Sequence, residues 1–460
     1  MSDKKIDLGN GNINSLLFKL ALPAIIAQIV NVLYNIIDRI FIGRIPNGEI
    51  AMAGVGVAFP IIMIISAFSA LIGMGGAPLA AIKMGEKKND EAEEILSNSF
   101  SSLILLGVLL TIVFTIFKEP MLWAFGASEA TIKYSNDYLG LYILGTVFVQ
   151  IALGMNPFVN TQGFAKVGMA TVVIGAVINI ILDPIFIFGF GMGVKGAALA
   201  TVIGQSVSAI WVLKFLFGKK SILKIRKEYM IPKLKVVFPI IALGVSPFIM
   251  QSTESLVMII MNNQLLKFGG DLAVSAMTIM SSIMQIVLLP LVGLSQGAQP
   301  IISYNYGAKK GNRVKGTFKL LLTYSLGYAG AMWIALMLVP GFFVSIFNDN
   351  PSLMTITTWS IKIFFGGIIA SGAQIACQQT FLAMGQAKTS LILALLRKII
   401  LLIPLALVLP MIFEDKLRWT LMAEPIADIT AAIITVTCFV VFYKKKLSDE
   451  VLLTEGTSEI

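Results

Sequence analysis

The chain has 460 residues, of which 57% are apolar and 13% charged, about half the charged share of an ordinary soluble domain, which argues against a water-soluble enzyme. Lysine and arginine total 35 against 25 aspartates and glutamates, a net charge of +10, and histidine is absent. Ser-His-Asp hydrolysis, His-ligated zinc and imidazole proton relays are therefore excluded, and carboxylates must carry any titration.

A membrane span takes about 20 mostly apolar residues, so the apolar content suffices for twelve. After a polar opening segment, apolar runs predict spans at 16–42, 52–82, 95–117, 137–159, 169–188, 195–217, 236–266, 272–302, 317–346, 353–382, 389–413 and 419–443. The first has no obvious cleavage site behind it and reads as a retained span rather than a signal peptide. Cys377 and Cys438 sit singly in apolar runs and read as small core hydrophobes.

Basic residues gather in alternate breaks: Lys83 to Lys88, Lys166, Lys214 to Lys235, Lys309 to Arg313, Lys388, and Lys444 to Lys446. The positive-inside rule then puts both termini in the cytoplasm and supports an even number of spans. The basic excess is a topology signal, so no nucleic-acid partner is expected.

The chain repeats itself. Pro78, Gly85, Lys87 and Lys88 recur 222 positions later as Pro300, Gly307, Lys309 and Lys310, and Gly163, Ala165 and Lys166 recur as Gly385, Ala387 and Lys388. The expected fold is an all-α integral membrane protein with twelve transmembrane helices in two pseudo-symmetric six-helix bundles, 1–217 and 236–446. A cytoplasmic linker at 218–235 joins them, and 447–460 forms a tail. Six is even, so the halves share one orientation, and a central cavity between them is the natural route for a substrate.

Five acids fall inside apolar spans: Asp38, Asp183, Glu254, Glu424 and Asp428. A charge at mid-membrane is costly, and such residues usually face a protein interior or a wet cavity. Asp38 and Asp183 each lie roughly 7 Å from the outer end of their span and can meet. Tyr34 is one turn before Asp38 and Asn179 one turn before Asp183, which puts each pair on one helix face. With Thr201 they supply hydroxyl, amide and carboxylate oxygens, the hard ligands a small alkali cation prefers. Pro184 either frees a carbonyl for that site or only kinks the helix. The repeat places Glu254 opposite Asp38 as a second protonation or cation-substrate position. Glu424 and Asp428, four apart on one face, disfavour simultaneous ionisation, so one is expected to be protonated or partnered by Arg397 or Lys398.

At these residues the chain resembles the multidrug and toxic compound extrusion (MATE) family. The resemblance runs from about residue 14 to 446 and rests on Asn179-Ile-Ile-Leu-Asp183-Pro184, Gly196-Ala-Ala-Leu-Ala-Thr201 and Tyr34 to Asp38. It implies a V-shaped pair of bundles that exchanges sodium or protons for amphipathic organic cations, with Asp38, Asn179, Asp183 and Thr201 as the ion site. It departs at the tenth span, where some relatives carry an acid and this chain has Ala373, Gln374, Cys377 and Gln378.

The reading is a sodium- or proton-coupled antiporter exporting amphipathic, cationic small molecules from a bacterial-type inner membrane. It is expected to act as a monomer, in contact with membrane lipid and without an organic cofactor. Tyr34, Gln205, Glu254, Gln374, Gln378 and Asp428 are expected along the substrate and ion pathway. The alternative is a flippase for lipid-linked oligosaccharide. An intramembrane enzyme finds no nucleophile-base or metal set.

Overall fold

The computed structural model describes residues 7–347 and 350–446; the expected 447–460 tail and the basic residues Lys4 and Lys5 lie outside the described residues. The first half comprises α1 (Ile13–Gly43), α2 (Gly48–Gly85), α3 (Asn89–Ala124), α4, α5 (Ala165–Gly189) and α6 (Val194–Leu216). Helix α4 is two pieces, Ile132–Leu144 and Thr146–Thr161, bent by 61° at Gly145.

The second half opens with 74 continuous helical residues, Leu234–Gly307, about 111 Å at 1.5 Å per residue and over three times the hydrocarbon thickness. Gly270, at φ 66° and ψ −167°, breaks it into α7 (234–269) and α8 (271–307). Then follow α9 (Gly311–Leu338), α10 (Pro351–Ala383), α11 (Ala387–Ile412) and α12 (Lys416–Lys446), which makes twelve spans among the described residues. The predicted ninth span, 317–346, runs on too far. Helix α9 stops at Leu338 because Pro340 drives Val339 out of the helical region (φ −128°, ψ 48°), and a short separate helix, Pro340–Ser345, follows.

The lipid face is legible as a stripe. Leu105, Leu109, Ile112 and Ile116 on α3, spaced one turn apart, are all exposed. The repeat survives in the backbone as well: Lys87 and its counterpart Lys309 both take positive φ, as do Gly163 and Gly385.

The two halves interlock at the end that gathers the basic breaks, here called the basic end. A Cβ on Gly244 of α7 would lie 1.7 Å from the Leu71 carbonyl oxygen of α2, and one on Gly75 would lie 2.2 Å from that of Ile240. Nearer the end, Gly85 and its counterpart Gly307 bring α2 and α8 together, each within 2.0 Å, by the same measure, of a backbone oxygen on the other helix. The start of each half is exchanged: Leu8, Leu16, Leu17 and Leu20 are buried with residues of α8 to α12, while Ile240 joins the core of the first half.

Two chain segments are pinned across this end. The strap before α1 is held by the second half: Asn305 Nδ2 donates to Leu8 O at 2.9 Å, Lys310 Nζ to Gly9 O at 2.8 Å and Arg313 Nη1 to Gly11 O at 2.9 Å. On the strap, a hydrogen bond from the Asn10 side chain holds the Asp7 carboxyl below its ordinary pKa. The connection between halves lies fitted against the first half. Gln162 Oε1 accepts from the Ile222 and Leu223 amides at 2.7 and 2.9 Å, and Asn98 Oδ1 from Lys233 N at 2.6 Å.

Replacing Gly244 with valine should therefore wedge α2 from α7 and lower stability by about 1–3 kcal/mol. Gly56→Ala, where a Cβ meets nothing within 4 Å, should leave the thermal midpoint of the purified protein unchanged. Equal midpoints for the two variants would contradict the interlock.

Candidate ion and substrate site

Helices α5 and α6 cross at glycines: a Cβ on Gly204 would lie 2.7 Å from the Gly175 carbonyl oxygen. That approach brings Asn179, one turn further along α5, against Thr201 of α6. Asn179 Nδ2 donates to Thr201 Oγ1 at 3.2 Å and to Asp183 Oδ1 at 3.3 Å, and Thr201 Oγ1 donates to Ala197 O at 3.0 Å. Asp38 of α1 is buried close enough to Asp183 for the two charges to interact. Arg39, its neighbour, lays its guanidinium over the Phe59 ring at 5.2 Å.

One acceptor on each of three side chains is left over. Asp38 Oδ1, Asn179 Oδ1 and Asp183 Oδ2 are all buried without a hydrogen-bond donor. Leaving such groups unmatched is costly, most of all when they are ionised. A proton or a monovalent cation would relieve that cost, and oxygen ligands of this kind suit sodium. No three acidic or cysteine side chains form a metal cluster among the described residues.

Tyrosines wall this site. Tyr34 stands one turn from Asp38 and within reach of Gln205, and Tyr138 of α4 faces Thr201 and Asp38. Tyr142, stacked on Tyr138 with ring centroids 6.3 Å apart, completes the wall. Sequence reasoning missed Tyr138 and Tyr142 because it searched for acids. Their signal was two phenols one turn apart inside an apolar run.

A cavity of about 460 Å³ adjoins the site and shares Tyr34, Asn179, Thr201 and Gln205 with it. It was expected centrally between the halves. Its walls instead come mainly from α1, α2, α4, α5 and α6, and the second half contributes Gln251, Gln296, Gln299 and Pro300. None of its lining residues is Lys, Arg, Asp or Glu.

The remaining expected pathway residues stand elsewhere. Gln378 Nε2 donates to Ser390 O at 2.8 Å and Ser246 Oγ at 3.2 Å, joining α10, α11 and α7, and Gln374 is buried off the cavity. Asp428 accepts from Arg397 Nε at 2.6 Å and Ser371 Oγ at 2.8 Å, while Arg397 Nη2 also reaches Glu424 at 3.2 Å. Glu254 pairs with Lys398, and its side chain is 65% exposed. Arg397 and Lys398 lie in a π-helical stretch, Leu396–Leu402, and as neighbours they point to different faces, one to α12 and the other to α7.

Asp428 therefore belongs to a buried ion-pair network rather than to the cavity. Arg397→Met should leave Glu424 and Asp428 as uncompensated buried acids and cost about 3–5 kcal/mol. The measurement is thermal unfolding of the purified variant, and a midpoint matching the parent would reject the network's weight.

The MatE family model matches residues 23–185 and 247–408, one stretch in each half. Multidrug export protein MepA of Staphylococcus haemolyticus is 27% identical over 417 residues, spanning 90% of this chain and 91% of that protein. The protein of the same description from Staphylococcus aureus (strain COL) is 25% identical over 417 residues, with the same coverage. Among solved structures, a MOP superfamily transporter from Pyrococcus furiosus superposes with a TM-score of 0.89 at 22% identity, covering 96% of this chain and 98% of that one. A MATE structure in the straight conformation does so at 0.88 and 22%, with the same coverage.

Proposed function

This chain belongs to the MatE family, and on that premise we propose that it is a cation-coupled antiporter that exports amphipathic, cationic small molecules by alternating access. The observation that carries the reading is the trio of buried acceptors on Asp38, Asn179 and Asp183 without a donor, beside a cavity that Asn179 itself lines. The curated relatives described as multidrug export proteins support it.

By the positive-inside rule the basic end faces the cytoplasm, so the interlock of α2 with α7 and α8 closes the cytoplasmic side and the cavity belongs to the outward-facing arrangement. A sodium ion or proton entering from outside lowers the charge of the Asp38–Asp183 pair by one and favours one disposition of α1 against α5 and α6. Tyr34, Asn179 and Thr201 then shift the cavity wall they form, so cation and substrate affinities are linked. Such linkage works only through different affinities for the two states, and each tenfold difference is about 1.4 kcal/mol. The cavity lining has no lysine or arginine, so the phosphates of a lipid-linked sugar would meet no counter-charge there.

Asp183→Asn keeps the size and removes the charge. In proteoliposomes carrying only a sodium gradient, then only a proton gradient, the parent should drive ethidium efflux under at least one. The variant should insert normally and show at least a tenfold loss, roughly the penalty for losing one charged ligand. Undiminished efflux by the variant would reject the site.

A further inference from the structure

Four glutamine amides from both halves line the cavity and are here called its floor: Gln28 of α1, Gln251 of α7, and Gln296 and Gln299 of α8. Gln28 Nε2 donates to Gln296 Oε1 across the seam at 3.3 Å. Gln299 differs from its neighbours. It is 7% exposed, lines the same cavity one turn from Gln296, and its amide nitrogen is buried without an acceptor.

We propose that this floor is a substrate subsite in which Gln299 donates a hydrogen bond to a neutral acceptor, a carbonyl or ether oxygen, on an amphipathic ligand. A buried N–H without a partner costs more than the same bond gains when made, so a ligand that supplies the oxygen is favoured over an equally apolar one that lacks it. The rest of the cavity suits such a body: Met63, Met74 and Met169 offer adaptable apolar walls, and no fixed charge lines it. An acceptor bound here touches α8 while the ligand's body rests on α1, α2 and α5, so one molecule spans both halves at the Gln28–Gln296 bridge. Recognition is then split: the two acids outside the lining take the small coupling cation, and the floor selects the exported molecule by a neutral group. A site that hydrogen-bonds a substrate oxygen discriminates against the analogue without it more sharply than an apolar pocket can.

The subsite deepens the proposed export function and rests on it, yet binding alone can test it. Two permanent cations serve as probes: a rhodamine ethyl ester, which carries an ester carbonyl, and tetraphenylphosphonium, which has no acceptor. Their affinities for the detergent-purified full chain are measured by fluorescence anisotropy and calorimetry, respectively, for the parent, Gln299→Met and Gln251→Met. Gln299→Met keeps the volume and removes the donor. It should weaken the rhodamine ester by about three- to tenfold and leave tetraphenylphosphonium unchanged, which also certifies the fold. Gln251, whose amide has no such orphaned nitrogen, should show a smaller difference between the probes.

Equal losses for both probes, no loss for either, or a parent that binds neither would overturn the subsite. Failure of the antiport reading has a separate signature: a parent that binds the rhodamine ester but exports it under neither gradient.

Discussion

A carboxylate withdrawn from water needs a positive partner or a proton, and the two halves of this molecule meet that demand in opposite ways. In the second half the partners are covalently part of the chain. Arg397 spans Glu424 and Asp428, Lys398 takes Glu254, and Ser371 completes the shell of Asp428. In the first half Asp38 and Asp183 meet an amide and a ring of phenols, with acceptors to spare. Buried ion pairs seldom add much net stability, but losing one partner is severe. The second-half cluster therefore ties α7, α11 and α12 together, whereas Asp38 and Asp183 each keep an acceptor that no donor among the described residues meets.

The same division appears in the packing. Glycines on α2, α7 and α8 let backbones touch where lipid gives no hydrophobic drive for association, so close van der Waals approach must supply it. Each half lends part of its opening helix to the core of the other at the basic end. The cavity sits just beyond it, with Gln28 and Gln296 bonded across the boundary.

Much of this was legible in the residues. Twelve spans followed from apolar length, and the repeat from Gly85 and Gly307 onward returns in matched positive φ at Lys87 and Lys309. The pairing of Asn179 with Asp183 followed from helical spacing, because four residues bring side chains to one face, whereas Thr201 sits on another helix. What the sequence could not supply was distance between helices. Gln374 and Gln378 read as pathway residues on type alone, yet whether an amide faces a cavity or a neighbouring carbonyl depends on helix rotation, which an apolar run does not encode. Lys398 read as a partner for Glu424 and Asp428 rather than for Glu254 for a related reason: which neighbouring helix a side chain meets is set by helix rotation. Tyr138 and Tyr142 were passed over because aromatic residues in a membrane span are ordinarily packing.

The strap ahead of α1 bears on how the molecule comes to exist. Its carbonyls at Leu8, Gly9 and Gly11 are received by Asn305, Lys310 and Arg313, donors that leave the ribosome some 300 residues later, or roughly 15–60 s at ordinary elongation rates. Throughout that interval these carbonyls lack their partners, so a segment synthesised well ahead of its donors takes up its native position only after they emerge.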